Sequence, residues 1–93
     1  MKARLKESHD YITLSIPLVG RSGLNLTINR YGTKVSAPAN AIKNKLFEAI
    51  SDNFDAALNI GNYGDRMKKL YTVAETATSI EDFSEKLSTF AKS

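Results

Sequence analysis

Residues 11–30, YITLSIPLVGRSGLNLTINR, decide the fold because they contain two runs in which apolar and polar residues alternate. In the first run the apolar residues occupy every second position from Ile12 to Leu18, and in the second they do so from Leu24 to Ile28. A period of two predicts half-buried strands with one apolar face each. Residues 19–23 contain two glycines and predict a hairpin loop, since glycine supplies the positive φ that such turns often need.

A third strand is predicted directly after these two. Gly32 predicts a second tight turn, and residues 34–37 alternate over the length of a short strand. Three strands with short connections form an antiparallel meander, which we expect over about residues 10–37. Pro17 has no N–H for a ladder hydrogen bond, so it should lie either on an edge strand or at the end of its strand.

The pattern changes to helical periodicity near Pro38, which fits the first turn of a helix. Apolar residues at helical spacing predict about three helices between residues 38 and 92, the first ending by Gly61 and the second opening at Gly64. Asp and Asn within residues 51–53 could divide the first of these segments by starting a new helix there.

The last helix has a predicted start of its own, because Ser79 with Asp82, or Thr78 with Glu81, resembles a capping box. The chain is therefore expected to be a single α+β domain, with a three-stranded antiparallel β-meander packed on a C-terminal layer of about three α-helices.

The charge of the chain divides where the pattern changes. Residues 1–45 carry eight Lys or Arg and two carboxylates, which gives a net charge of +6. Residues 46–93 carry five Lys or Arg and eight carboxylates, which gives a net charge of −3. We therefore expect the strand half to contact an acidic partner. The overall charge of +3 is mild for a dedicated DNA-binding domain, and its sign excludes a DNA mimic.

Composition excludes several further classes of protein. The chain has no cysteine, so a disulfide framework, a zinc finger and a thiol nucleophile are excluded. No apolar stretch approaches the roughly 20 residues of a membrane span. Polar residues follow the basic start at the point where a signal peptide would be apolar, so we expect a cytoplasmic protein without membrane association.

The titratable residues predict neither catalysis nor a metal site. His9 is the only histidine and has no evident nucleophile near it, so His9→Ala should leave the activity within a few-fold of the wild type. Residues 61–64 lack the Lys-Ser/Thr pair of a phosphate-binding loop and are interpreted as a connector. Two charged sets at helical spacing are interpreted as solvated helix faces: Glu48, Asp52 and Asp55, and Arg66, Lys68 and Lys69. We expect no enzyme activity and no cofactor.

The outward face of the predicted sheet is the main candidate surface. It combines hydroxyl, amide and tyrosine side chains with basic residues near the turns and has no carboxylate, a composition typical of adaptable recognition surfaces. The alternative interpretation, given equal weight, is that β-propensity and solubility alone select such residues. The predicted partner-binding residues are Tyr11, Arg21, Asn29, Arg30, Tyr31 and Lys34.

These observations favour a small non-enzymatic regulator or inhibitor that binds a protein target with an acidic or hydrogen-bonding patch. The alternative is a nucleic-acid-binding module, in which the basic half would contact phosphates and Tyr11 and Tyr31 would stack on bases. In size and layout the chain resembles the small accessory and inhibitor proteins of phages and mobile elements. That resemblance concerns layout only and assigns no role to any individual residue.

Overall fold

The sheet has four antiparallel strands in the order β1–β2–β3–β4, within a computed structural model that describes residues 2–17, 23–29, 31–37, 44–58 and 63–92. The strands are β1 (Arg4–Glu7), β2 (Tyr11–Pro17), β3 (Gly23–Asn29) and β4 (Gly32–Ser36). The helices of the described residues are α1 (Lys45–Leu58), α2 (Tyr63–Thr76) and α3 (Ile80–Ala91). The predicted α+β class is confirmed, with four strands in place of the three predicted.

Strand β1 is the element that the sequence did not predict. It pairs antiparallel with β2, with Arg4 opposite Ser15 and Leu5 opposite Leu14. Its four residues contain a single apolar side chain, which is too short a pattern to indicate a strand by itself. The ladder to β2 is a non-local interaction. It stabilises residues 4–7 as a strand although their own sequence pattern does not indicate one.

Pro17 occupies the second of its two predicted positions, at the end of a strand. Strand β2 is an inner strand, and its ladder with β1 begins only at Ser15, so the proline lies beyond that ladder. Its partner in β3 is Gly23, where an added Cβ would lie 2.8 Å from the carbonyl oxygen of Ile16. Glycine is therefore required there by the close approach of the two backbones.

The second tight turn is confirmed, because Gly32 has a φ of 127°. This is the left-handed region, which side chains with a Cβ rarely adopt. The predicted loop over residues 19–23 lies outside the described residues except for Gly23, which is the first residue of β3. Pro38 and Gly61 also lie outside them.

Helix α1 runs without interruption through residues 51–53, so the internal break considered from the sequence is wrong. Ile50, Phe54 and Ala57 are all fully buried and follow one another at helical spacing. Burial of this single stripe outweighs the weak helix propensity of Asp and Asn between its members. Helix α2 begins at Tyr63, one residue before the predicted start at Gly64.

The predicted start of α3 is confirmed in atomic detail. Ser79 is the N-cap, and its hydroxyl accepts a hydrogen bond from the backbone N–H of Asp82 at 3.1 Å. The Asp82 carboxylate in turn accepts the backbone N–H of Thr78 at 3.0 Å and forms a 3.1 Å salt bridge with Lys86. The Thr78 N–H and the Lys86 ammonium hold the pKa of Asp82 below its usual value of 3.8.

The core lies between the inward face of the sheet and the helices. Helix α1 packs against β4, α2 packs against β1 and β2, and α3 packs against both other helices. The two central strands contribute an inward face that is almost fully buried: Ile12, Leu14, Ile16, Leu24, Leu26 and Ile28. The helices contribute Ile50, Phe54, Met67, Leu70, Phe83 and Leu87 as their large, fully buried side chains.

Arg66 joins the ends of two helices. Its guanidinium donates hydrogen bonds to the carbonyl oxygen of Ala57, in the last turn of α1, and to that of Phe90, in the last turn of α3, at 3.3 Å for the second. It also lies over the Phe90 ring, 4.5 Å from the centroid. Carbonyls in the last turn of a helix have no partner in its regular i to i+4 ladder, so they are available to the Arg66 guanidinium; the Phe90 carbonyl also accepts the backbone N–H of Lys92.

Glu75 of α2 attaches the N-terminal segment to the helical layer. Its carboxylate accepts the backbone N–H of Ala3 at 3.3 Å and the hydroxyl of Tyr71 at 2.8 Å. The hydrogen bond to the carboxylate raises the pKa of the Tyr71 hydroxyl above its usual 10.0, because ionisation would place two negative charges together. This contact holds the residue that directly precedes β1.

The two buried phenylalanines test the placement of the core. Phe54 and Phe83 have no exposed surface, whereas Phe47 is half-buried beside the core. Phe54→Ala and Phe83→Ala should each reduce the free energy of unfolding by about 3–5 kcal/mol through lost burial and a cavity. Phe47→Ala, the matched control, should cost clearly less in the same urea titrations. Equal losses at all three positions would contradict this assignment of the core.

Arg66→Met tests the helix-end contact. Methionine retains an apolar stem over Phe90 but donates no hydrogen bond, so we expect a loss of about 1–3 kcal/mol. Arg66→Lys should recover little of that loss, because an ammonium on a single stem does not reproduce the planar fork that reaches two carbonyls. Lys69→Met, at an exposed position of the same helix, is the control and should melt like the wild type. A wild-type unfolding curve for Arg66→Met would show that the contact contributes nothing.

Asp82 should make stability pH-dependent in acid. Because folding lowers its pKa, its contribution is present above the unfolded value of 3.8 and is lost as the pH falls through the lower folded value. The difference in melting temperature between the wild type and Asp82→Asn should therefore be constant near neutrality and shrink below about pH 4. Glu85→Gln, which removes an exposed carboxylate from the same helix, is the control. A difference in melting temperature between the wild type and Asp82→Asn that does not change with pH would contradict the lowered pKa of Asp82.

Candidate interaction surface

The outward side of the sheet carries a continuous row of polar side chains from each strand. Strand pairing places residues on the same side when they lie directly opposite each other. We refer to this side as the polar face, and its members are Arg4, Lys6, Tyr11, Thr13, Ser15, Asn25, Thr27, Asn29, Lys34 and Ser36.

The centre of the polar face consists of small side chains that hydrogen-bond to one another. The hydroxyl oxygens of Thr13 and Thr27 are 3.0 Å apart, and the Ser15 hydroxyl donates to the Asn25 side-chain oxygen at 2.7 Å. Both are direct cross-strand pairs of β2 and β3. Such pairs stabilise the sheet, because in each of them a donor and an acceptor of the polar face bond to each other.

Long basic side chains lie on both margins of this centre. Arg4 and Lys6 extend from β1, the strand at one edge, and Lys34 extends from β4 at the other edge. Lys6, Thr13, Thr27 and Lys34 form one row across all four strands. All three basic residues are exposed, and none takes part in a salt bridge within the described residues.

No carboxylate lies on the polar face among the described residues. Glu7 is in β1, but it lies opposite Ile12, whose side chain is buried on the other side of the sheet. The face therefore has an uncompensated positive charge, and the potential above it favours anionic groups. Three cations around a hydrogen-bonded centre are a suitable surface for carboxylates or phosphates.

Tyrosine and asparagine occupy one end of the polar face. Tyr11 is half-buried and lies opposite Asn29, whose side-chain oxygen accepts the backbone N–H of Tyr31 at 2.8 Å. Asn29 therefore also stabilises the turn into β4. Tyr31 is the most exposed large apolar side chain of the described residues, with 82% of its surface accessible.

The six residues predicted from the sequence divide into three groups. Tyr11, Asn29 and Lys34 lie on the polar face, and Tyr31 lies in the turn beside it. Arg21 and Arg30 lie outside the described residues. An open depression of about 390 Å³ lies over β2, β3 and β4 and covers most of the polar face. It is lined by Tyr11, Thr13, Asn25, Thr27, Asn29, Lys34 and Ser36.

Sequence reasoning missed Arg4 and Lys6, because it missed the strand that carries them. The available signal was the alternation from Lys2 to Lys6, in which basic residues flank Ala3 and Leu5. Ala3 is buried and Leu5 packs against the core, so the alternation does reflect a strand with one apolar side. These two residues extend the basic surface to the edge of the sheet opposite Lys34.

A second concavity, of about 510 Å³, lies between α2 and α3 and has a largely apolar lining that includes Val73 and Phe90. Most of its polar side chains have structural partners. Lys86 forms the salt bridge with Asp82 and donates to the carbonyl oxygen of Thr76 at 3.2 Å, and the Thr89 hydroxyl donates to the carbonyl oxygen of Glu85. The concavity extends along α3 from its junction with α2 to Phe90. The polar face remains the stronger candidate despite its smaller volume.

The remaining charged sets, apart from Arg66, are exposed in the part of the chain that the structure describes. His9 is exposed in the turn between β1 and β2, and no group of three potential metal ligands occurs. Glu48, Asp52 and Asp55 are all exposed on α1, as are Lys68 and Lys69 on α2. Arg66 differs from its predicted role on a solvated face, because its guanidinium caps α1 and α3.

Among the described residues, none of the helices combines the length and the apolar character needed to cross a bilayer. No protein-family model, curated protein or solved structure shows significant similarity to this chain. The function must therefore be argued from the polar face itself.

Proposed function

We propose that the chain is a non-enzymatic regulator or inhibitor that acts stoichiometrically by binding a protein partner through its polar face. The observation that carries the proposal is the arrangement of Arg4, Lys6 and Lys34 on the two margins of a surface on which no described residue places a carboxylate. These cations form no salt bridge with any described residue and lie on regular strands, so they attract an acidic patch and orient it as it approaches.

The centre of the face supports binding of a protein. Thr13 is hydrogen-bonded to Thr27 and Ser15 to Asn25, so the three hydroxyl oxygens and the Asn25 side-chain oxygen keep a hydrogen-bond partner when a protein covers them. Exposed Tyr31 adds a large amphipathic side chain at the rim, of the kind enriched at interfaces. The partner we propose is a protein with an acidic, hydrogen-bonding patch.

Nucleic acid is the second candidate, and the addition of Arg4 and Lys6 to the face favours it. Sheets that bind single strands place aromatic side chains where the bases stack. On this face the middle of β2 and β3 carries Thr13 and Thr27, and Tyr11 lies at one end. The net charge of −3 on residues 46–93 also opposes approach of a polyanion to the rest of the molecule. We therefore favour the protein partner.

Two charge-matched variants test the proposal. The face variant combines Arg4→Gln, Lys6→Gln and Lys34→Gln, and the control variant combines Lys68→Gln, Lys69→Gln and Lys92→Gln at exposed positions of the helical layer. Partners are captured from nuclease-treated host extract with the wild type, purified and titrated against all three proteins. The face variant should bind roughly ten-fold more weakly or worse, and the control should stay within about two-fold.

Labelled single- and double-stranded oligonucleotides are titrated in parallel at several salt concentrations. Three phosphate contacts would give a log–log salt slope of about −2 to −3. Micromolar or tighter oligonucleotide binding at physiological salt, lost in the face variant only, would replace the protein partner with nucleic acid. Equal loss of protein binding in the face and control variants would show that the polar face is not the site.

A further inference from the structure

The polar face has the shape of a trough. The middle of its floor is made of small side chains on β2 and β3, with Tyr11 at one end, and long basic side chains extend from β1 and β4 on either side. Neighbouring strands are about 4.8 Å apart, so the two edge strands are separated by roughly 14 Å. An α-helix with its side chains has a diameter of about 10–12 Å and fits between these margins.

The basic residues match the spacing of charges on a helix. Arg4 and Lys6 are two residues apart on one strand, which places them about 7 Å apart along the trough. Side chains at i and i+4 of a helix lie about 5–6 Å apart, so two carboxylates with that spacing can each meet one of these cations. Lys34 lies directly across the sheet from Lys6 and meets a carboxylate on the opposite flank of the same helix.

The floor of the trough favours a helix over an extended segment. A helix satisfies its own backbone hydrogen bonds, whereas an extended chain lying flat on side chains would leave N–H and C=O groups without partners. The hydroxyls beneath are also already paired, between Thr13 and Thr27 and from Ser15 to Asn25. Covering the floor with a helix therefore leaves the three hydroxyl oxygens and the Asn25 side-chain oxygen with a hydrogen-bond partner.

We propose that the polar face is the docking site for an acidic α-helix of the partner protein, laid along β2 and β3 with carboxylates on both flanks. The pair spaced i, i+4 on one flank contacts Arg4 and Lys6, and a carboxylate on the other flank contacts Lys34. This inference rests on the proposed function and adds the secondary structure and charge pattern of the partner.

The probe is a stapled, Ala-based helical peptide of about 16 residues, roughly 24 Å long, which matches the length of β2. The two-flank peptide carries Glu at i, i+4 on one side and Glu on the opposite side. A first control peptide has the same composition with all Glu on one stripe. A second contains two prolines that prevent the helix. Binding is measured by fluorescence anisotropy, and the contacted residues are mapped by NMR chemical-shift changes.

We expect the two-flank peptide to bind at least five-fold more tightly than either control peptide, with shifts centred on β2 and β3. The face variant should lose at least ten-fold in affinity, and the control variant should lose less than two-fold. Equal binding of the helical and proline-containing peptides would overturn the inference, because attraction of charge alone would then explain it. Failure of the two-flank peptide to bind at all would overturn it as well.

Thr27→Tyr separates docking of a helix from stacking of bases. A tyrosine at this position suits a strand and leaves the charge unchanged, but it fills the floor of the trough. It should weaken binding of the two-flank peptide at least five-fold and should strengthen binding of an oligo-dT probe if bases stack there. Unchanged peptide binding in Thr27→Tyr would contradict a helix in the trough.

Failure of this inference can be distinguished from failure of the proposed function. Hydrogen exchange on the captured partner locates the segment that the wild type protects. An extended or uncharged protected segment, together with weaker binding of the face variant, would overturn the helix and keep the regulator. A captured partner indifferent to the face variant would overturn both.

Discussion

The register between β2 and β3 is the constraint on which both sides of the sheet depend. Leu14 lies opposite Leu26 and Thr13 lies opposite Thr27, so the apolar residues share one side and the hydroxyls share the other. Because side chains alternate with a period of two, a slip of one residue would exchange the two sides completely. Burial of six apolar side chains from these strands disfavours that exchange by far more than any single polar contact contributes. The core and the polar face are thus two consequences of the same pairing.

Polar contacts decide how the ends of the elements are held. Arg66 joins the last turns of α1 and α3, and Glu75 joins the segment before β1 to α2. These charged groups are engaged in structure, whereas Arg4, Lys6 and Lys34 have no salt bridge within the described residues. The position of the charge, more than its amount, therefore distinguishes the polar face from the rest of the surface.

In the proposed complex the partner binds to regular strands. Strand residues lose less conformational freedom on binding than loop residues do, so less of the interaction energy is spent on ordering them. The basic residues on β1 and β4 also protect the sheet, because charged side chains on edge strands oppose pairing between the sheets of two molecules. In the proposed complex the same residues would guide an acidic helix to the trough and exclude other strands from its margins.

The sequence by itself determined the class of the fold, the three strands from Tyr11 to Ser36, the helical layer and the capping of α3 by Ser79, because each depends on local periodicity or a short motif. It also placed Tyr11, Asn29 and Lys34 on the outward side, since alternation alone assigns sides. Only the tertiary structure decided the strand Arg4–Glu7, the continuity of α1 through residues 51–53 and the role of Arg66. Each of these depends on contacts between residues distant in the chain, namely a ladder with β2, a buried stripe on α1 and carbonyls at two helix ends. The trough likewise depends on the tertiary structure, because only the pairing of β1 with β2 places Arg4 and Lys6 across the sheet from Lys34.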